Sequence, residues 1–268
     1  MTTDFFNSLF SLHGKVAFIT GASSNGLGAQ FAHTLATAGA NVVLVARREK
    51  PLKKLAQIIE EKYSVKAHAI STDVSNPEDI YRSVEEAIQE FGQIDILINN
   101  AGVLTPTAIG EVDREKICQD WDHLMNVNLR APWLYVHEVS RHMISKKIEG
   151  SIINISSIAG GRKNQPMPGL VSYSASKAGL DQMTRGLVQE LSPHKIRINN
   201  ISPGFIITDT TRPMLSQIQG MMLKAIPAGF LAEPKELDAL VLYLASNKAS
   251  KYVTGSIHTI DGGTSYIA

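Results

Sequence analysis

The sequence predicts an α/β fold: one doubly wound parallel sheet of seven strands with helices on both faces. Three observations carry that expectation. Short β-branched runs alternate with longer stretches of helical period along the whole chain. The strand runs are nearly continuous in apolar residues, as strands buried on both faces must be. A glycine-rich turn stands between the first strand and the first long helix. Right-handed crossovers then favour the doubly wound arrangement over its mirror.

Lys15–Thr20 (KVAFIT) reads as a strand, Gly28–Ala38 as a helix and Asn41–Ala46 (NVVLVA) as the second strand. Residues 51–62 place Leu52, Leu55, Ile58 and Ile59 at helical spacing. Lys66–Ser71 is the third strand, and Pro77–Phe91 a helix with proline in its first turn. Ile94–Asn99 (IDILIN) follows as a strand, then a helical region over 119–147, strand Ser151–Ile155 and helix Ser172–Leu191. Arg197–Ile201 and Ser256–Ile260 are the last strands, with helix Pro234–Ala245 between them.

At 268 residues the chain suits one large α/β domain. No internal repeat or linker divides residues 1–268; residues 1–11 read as an N-terminal extension. Residues 202–233 break the alternation just after a strand's carboxyl end, where ligands bind in such sheets, and suggest a substrate lid. Met214–Met222 is its Met-rich part, adaptable packing for an apolar substrate or plain core.

Net charge is +1, which argues against general attraction to nucleic acid or an anionic membrane. Cys118 is the single cysteine, so no intrachain disulfide forms, and a buried thiol is expected. The first residues lack a basic n-region, and no apolar run is long enough to span a bilayer. A soluble, cytoplasmic protein is expected, with no metal site.

The turn after the first strand, Thr20-Gly21-Ala22-Ser23-Ser24-Asn25-Gly26-Leu27-Gly28, opens directly into a helix. Glycines let the backbone turn tightly and approach a pyrophosphate, which sits well at a helix N-terminus. In this context the motif points to a dinucleotide. At the end of the second strand an acid would bind the ribose 2′-hydroxyl of NAD, but Ala46 stands there, followed by Arg47 and Arg48. This favours NADP(H) over NAD(H), with Arg47 the phosphate ligand; the competing account has both arginines merely solvated. Asp73 is placed to accept from the adenine amino group, with helix initiation as its competing role. Small residues in Asn99-Asn100-Ala101-Gly102 would let a cofactor lie against the sheet edge, unless they form an ordinary turn.

Tyr173 and Lys177, four apart in a predicted helix, share one face. A neighbouring ammonium stabilises a phenolate and makes tyrosine a usable acid–base group. The spacing alone is common. The set of motifs in order is not: Thr20-Gly21, Asp73, Asn99–Gly102, Asn128 in MNVNL, Ser157 in NISS, YSASK at 173–177, Pro203-Gly204 with Thr208, and Asp261-Gly262-Gly263. With these the chain resembles the short-chain dehydrogenases/reductases of the compact type, over Leu12 to Gly263.

The resemblance implies a Rossmann-like fold and a catalytic set Asn128, Ser157, Tyr173 and Lys177. Tyr173 would act as acid in reduction and base in oxidation. Ser157 would stabilise the substrate oxygen. Lys177 would bind the nicotinamide ribose and lower the tyrosine pKa, and Asn128 would hold a relay water. Cofactor contacts would come from Gly21, Ser23, Ser24, Asn25, Gly26 and Leu27, from Arg47, Asp73 and Val74, and from Asn100, Ala101 and Gly102. Pro203, Gly204, Ile206 and Thr208 would complete the nicotinamide side.

Three departures from the family pattern stand out. Gly21 and Gly26 lie one residue further apart than usual, Asn25 being the extra one. Ser157 lies 16 residues before Tyr173, a few more than is common, with the surplus in Gly161–Pro168 as an extended pocket wall. Phe230 stands where related reductases often have arginine. Similar proteins commonly form tetramers or dimers through helices equivalent to 119–147 and 172–191. Similarity is strongest to 3-oxoacyl thioester reductases, for which Arg141, Lys146 and Lys147 could meet an acidic acyl carrier protein. A sugar, polyol or steroid-type alcohol dehydrogenase is the alternative, and a non-catalytic NADP-binding sensor or scaffold the reading from another class.

Overall fold

Seven parallel strands make one sheet in the order β3-β2-β1-β4-β5-β6-β7, in the computed structural model, which describes residues 2–23, 25–161 and 169–266. They are β1 (Val16–Thr20), β2 (Asn41–Ala46), β3 (Ala67–Ser71), β4 (Ile96–Asn99), β5 (Ser151–Ile155), β6 (Arg197–Pro203) and β7 (Ile257–Ile260). β1, β4, β5 and β6 are buried along their whole length; β1 and β4 accordingly run almost wholly apolar without alternation, while β5 and β6 also bury polar side chains such as Asn154 and Asn200. The chain order reverses between β1 and β4, so their carboxyl ends flank the crevice where such sheets bind ligands.

Alternate side chains of each strand feed two cores. On one face Ile19, Leu44 and Ile98 pack with Phe31 and Leu35 of α2 (Leu27–Thr37), with α3 (Glu49–Tyr63), and with Leu244 of α9 (Asp238–Ala245). On the other Phe18, Val43 and Leu97 meet α4 (Pro77–Phe91), α6 (Ala131–Lys146) and α7 (Val171–Leu191). Tyr135 of α6 is buried against Phe18, and its hydroxyl finds Ser83 at 3.2 Å.

The structure refines several sequence boundaries. The extension carries helix α1 (Thr2–Phe10), whose Leu9 carbonyl accepts the Ser246 hydroxyl. The region read as one helix over 119–147 starts earlier, as α5 (Arg114–Met125), because Asp113 caps it by accepting from the Lys116 N–H at 3.0 Å. A π-helical turn, Asn126–Arg130, then separates α5 from α6. The interruption after β6 contains α8 (Arg212–Ala225), and Pro234 opens a 3₁₀ turn before α9. Cys118 is exposed rather than buried, because it lies on the outer face of α5. Ser24, residues 162–168 and the side chains of Met214, Met221 and Met222 lie outside the described residues, and with them the readings placed on Ser24, on the surplus loop and on those methionines.

Candidate active site

The site is built from the carboxyl ends of the central strands. At the end of β1, Thr20 stitches the cofactor-side turn to the β4 end. Its hydroxyl accepts from the Asn100 and Ala101 N–H groups, both at 3.0 Å, and Asn100 Nδ2 donates to the Thr20 carbonyl at 2.8 Å. Gly21 adopts φ +72°, and a Cβ there would lie 2.9 Å from Ala101 Cα. Glycine is thus required by both conformation and space.

The turn continues through Asn25 and Gly26 into α2, which begins at Leu27. Gly26 supplies no side-chain cap, so the first amides of α2 are left for an anion. Arg48, rather than Arg47, reaches this turn. Its guanidinium donates to the Ser23 carbonyl at 2.9 Å and hydroxyl at 3.4 Å. Arg47 lies towards Asp73. Asp73 Oδ1 accepts from the Ser75 N–H at 3.0 Å and hydroxyl at 2.8 Å. Burial works to raise the Asp73 carboxyl, but these hydrogen bonds and Arg47 outweigh it and hold it below its ordinary value. Val74 beside it is buried.

Tyr173 and Lys177 stand on successive turns of α7, and Lys177 Nζ lies 5.8 Å from the centre of the tyrosine ring. The ammonium donates to the Ile155 carbonyl, where β5 ends, at 2.8 Å. Burial pulls the Lys177 pKa down to about 8, with Asp181 acting against it. Burial raises the Tyr173 phenol, opposed by a hydrogen bond with Ser157. Ser157 begins the 3₁₀ turn Ile158–Gly160 and accepts from the Ala159 N–H at 3.1 Å. That turn can approach α7 only because residue 160 is glycine. A Cβ there would lie 2.7 Å from Ala178 N and Lys177 C.

Asn128 sits in the π turn, fully buried, and clamps the loop after β4. Its Oδ1 accepts from the Val103 N–H at 2.8 Å and its Nδ2 donates to the Val103 carbonyl at 2.9 Å. A π turn is a frequent way of re-aiming a helical residue at a functional site. Between Asn128 and Lys177 lies Gly102, where a Cβ would come 3.4 Å from Asn128 Oδ1 and 3.7 Å from Lys177 Nζ. The backbone after β4 is therefore close beside the lysine.

On the far side, Pro203 ends β6 and the Gly204 N–H donates to the Ile260 carbonyl at 3.0 Å. Ile206 is bridged to Ala232. The Thr208 hydroxyl pairs with that of Thr211 at 3.0 Å, tying it to the start of α8. Phe230 is half exposed.

The four residues of the expected catalytic set thus converge, from α7, the turn after β5 and the π turn. Sequence reasoning named Thr20 only as the start of the glycine loop, placed Arg47 ahead of Arg48, and did not single out Gly160. The Gly160-Gly161 pair directly after the Ser157 motif was the signal available for the last. Among the described residues no cluster of His, Cys, Asp or Glu could hold a metal ion, and no helix is long and apolar enough to cross a membrane.

Comparison with known proteins gives a consistent result. The family model described as short chain dehydrogenase matches residues 15–219. The 3-oxoacyl-(acyl-carrier-protein) reductase of Aquifex aeolicus is 36% identical over 252 residues, spanning 94% of this chain and 98% of its own. The gluconate 5-dehydrogenase of Gluconobacter oxydans is 34% identical over 257 residues, 95% of this chain and 96% of that one. A candidate 2-deoxy-D-gluconate 3-dehydrogenase of Agrobacterium tumefaciens, solved with bound NADP, superposes with a TM-score of 0.84 at 32% identity, covering 96% of this chain and 99% of its own.

Proposed function

The chain belongs to the short-chain dehydrogenase family, an NAD(P)-dependent oxidoreductase, and on that premise we propose that it reduces a carbonyl to a secondary alcohol, or the reverse, with NADP(H). The observation that carries the reading is the convergence of Ser157, Tyr173 and Lys177 where β5 meets α7, beside the Gly102 backbone. The uncapped start of α2 after Gly21 suits a pyrophosphate, so a dinucleotide fits the residues present. When bound, the nicotinamide supplies or takes the hydride.

In reduction the Tyr173 hydroxyl gives its proton to the substrate oxygen, as the carbonyl carbon receives the hydride. In oxidation the Tyr173 phenolate takes the alcohol proton back. Ser157 Oγ donates a hydrogen bond to the same oxygen and stabilises the charge that develops there. The Lys177 ammonium favours the phenolate and offers donors to the nicotinamide ribose. Asn128 holds the Val103 backbone in place beside this pair and hosts the relay water. Gly21, Ser23, Asn25, Gly26 and Leu27 take the pyrophosphate side, Asp73 and Val74 the adenine side, and Asn100, Ala101, Pro203, Gly204, Ile206 and Thr208 the nicotinamide side. Preference for NADP(H) is supported by the two arginines at the β2 end. Arg48 on the Ser23 carbonyl joins Arg47 as a 2′-phosphate ligand.

For the substrate we favour a 3-oxoacyl thioester, by likeness to the Aquifex enzyme, delivered on an acyl carrier protein. A sugar acid or polyol is the second reading, favoured by the likeness to gluconate 5-dehydrogenase. Residues 1–268 act as one domain, cytoplasmic, with 202–233 as the substrate lid. Pairing into dimers or a tetramer would use the open apolar groove of roughly 750 Å³ lined by Leu129, Trp133, Gly179 and Met183. The test is an initial-rate screen of NADPH and NADH oxidation against 3-oxoacyl thioesters, ketoses and ketosteroids. Tyr173→Phe should abolish turnover while retaining NADPH binding. Turnover equal to the parent enzyme would remove Tyr173 from the mechanism.

A further inference from the structure

A line of buried polar side chains crosses the sheet beneath the reacting pair. Asn99 Nδ2 donates to Asn154 Oδ1 at 2.8 Å, and Asn154 Nδ2 to Thr184 Oγ1 at 2.9 Å. The Thr184 hydroxyl donates to Asn200 Oδ1 at 2.5 Å, and Asn200 Nδ2 to Asp181 Oδ1 at 2.7 Å. Asn154, Thr184 and Asn200 are fully buried, and Asp181 is 6% exposed. Every donor in the line points the same way. Four dipoles aligned head to tail reinforce one another and end on a carboxylate.

That carboxylate stands one turn beyond Lys177 on α7. Helical side chains lean towards the N-terminus, so Asp181 leans back over the turn that carries the lysine. We propose that Asp181 is a positioning residue for Lys177, a buried counter-charge fixed by the Asn99–Asn200 line that keeps the ammonium charged and aimed at the site. A carboxylate buried between α7 and the sheet is otherwise an unfavourable element, since burial of a charge needs both donors and a partner.

The surroundings of Lys177 leave this role to Asp181. From β5 its ammonium meets the Ile155 carbonyl, while the Ser156 hydroxyl donates to the Lys177 backbone carbonyl, and the Gly102 backbone after β4 stands between the ammonium and Asn128 Oδ1. On α7 itself it faces Tyr173. None of these is a carboxylate, and among the described residues Asp181 supplies the charge that acts on the lysine. The importance of this for turnover rests on the reading of Tyr173 and Lys177 as the reacting pair.

The measurement is the titration midpoint of Lys177 in the full-length protein, followed by NMR of ¹³Cε-labelled lysine and assigned with Lys177→Arg. Asp181→Asn keeps the oxygen that Asn200 donates to and removes only the charge. Its Lys177 midpoint should fall by about one pH unit below the parent value, the shift typical of losing a close opposite charge. Asp181→Glu, which keeps the charge, should restore at least half of that. Should Asp181→Asn not fold, Asp181→Ser removes the same charge with less bulk. A midpoint within about 0.3 unit of the parent in the charge-removing variant would overturn the proposal, as would a Glu variant that shifts as far as Asn. A purely structural Asp181 would lower the melting temperature and leave the midpoint in place. Because the readout needs no substrate, it can fail while the proposed reaction stands, and the reverse.

Discussion

Replacing Gly160 by alanine tests how closely the serine turn must approach the helix that carries Tyr173. The added Cβ would sit 2.7 Å from Ala178 N and Lys177 C, where ordinary contact begins at 3.4 Å. Both opposing atoms are helix backbone and cannot swing aside, so the 3₁₀ turn must retreat by about 0.7 Å. Ser157, which begins that turn, moves with it. Misplacement of about 1 Å costs on the order of 100-fold in rate, so kcat should fall roughly 10- to 100-fold. The NADPH contacts proposed on the opposite side are untouched, so KM for NADPH should change by less than about threefold. Overpacking also destabilises by about 1–3 kcal/mol, or about 2–4 °C of Tm per kcal/mol in a chain of this size. The assay is initial-rate NADPH oxidation with the best carbonyl from the screen, beside a thermal melt. If Gly160→Ala turns over at the parent rate, the close packing of the turn on α7 has no catalytic meaning.

Arg48→Ala removes the guanidinium held on the Ser23 carbonyl, and should raise KM for NADPH about tenfold or more while leaving that for NADH nearly unchanged; equal effects on both cofactors would exclude a 2′-phosphate role. Asn154→Ala strips a partner from both Asn99 and Thr184 in a buried line, and urea unfolding should register a loss of roughly 2–4 kcal/mol, with no loss meaning that water replaces the amide. Lys177 provides a pH test of stability. Its pKa falls from 10.5 to about 8 on folding, so between those values the unfolded chain binds more protons, and stability from this group is absent below 8 and complete above 10.5. Relative to Lys177→Met, the parent protein should therefore gain on the order of 3 kcal/mol as pH rises through that window, and parallel stability curves would contradict a buried lysine.

Local pattern determined much of this protein before any contact was known. The apolar β-branched runs of β1, β2 and β4 are strands because only a sheet covered on both faces hides them. Gly21 through Gly28 is legible as a turn into a helix, since no other residue permits φ +72° against the β4 end without strain. The four-residue spacing of Tyr173 and Lys177 puts them on one helix face by geometry alone. Short-range signals also misled at the edges. Periodicity gave no warning of α1, because a nine-residue helix is held by docking its end at Leu9 on Ser246 rather than by propensity. It also merged α5 and α6, because a π turn keeps a nearly helical rhythm while rotating Asn128 towards Val103.

What only the tertiary structure decided are the meetings between elements distant in sequence. Arg47 and Arg48 are chemically equal at the β2 end, and the choice of Arg48 for the Ser23 carbonyl depends on where β1 and β2 stop in their shared register. Asn99, Asn154, Thr184 and Asn200 are unremarkable singly, and become one polarised line because β4, β5 and β6 are neighbours in the sheet and α7 lays Thr184 across the last two. Lys177 owes its pKa of about 8 to burial, which no spacing reveals. The reason is common to all three: pattern in sequence reports how each segment hides its own apolar face, whereas charge placement and close approach depend on which segments the sheet order makes neighbours.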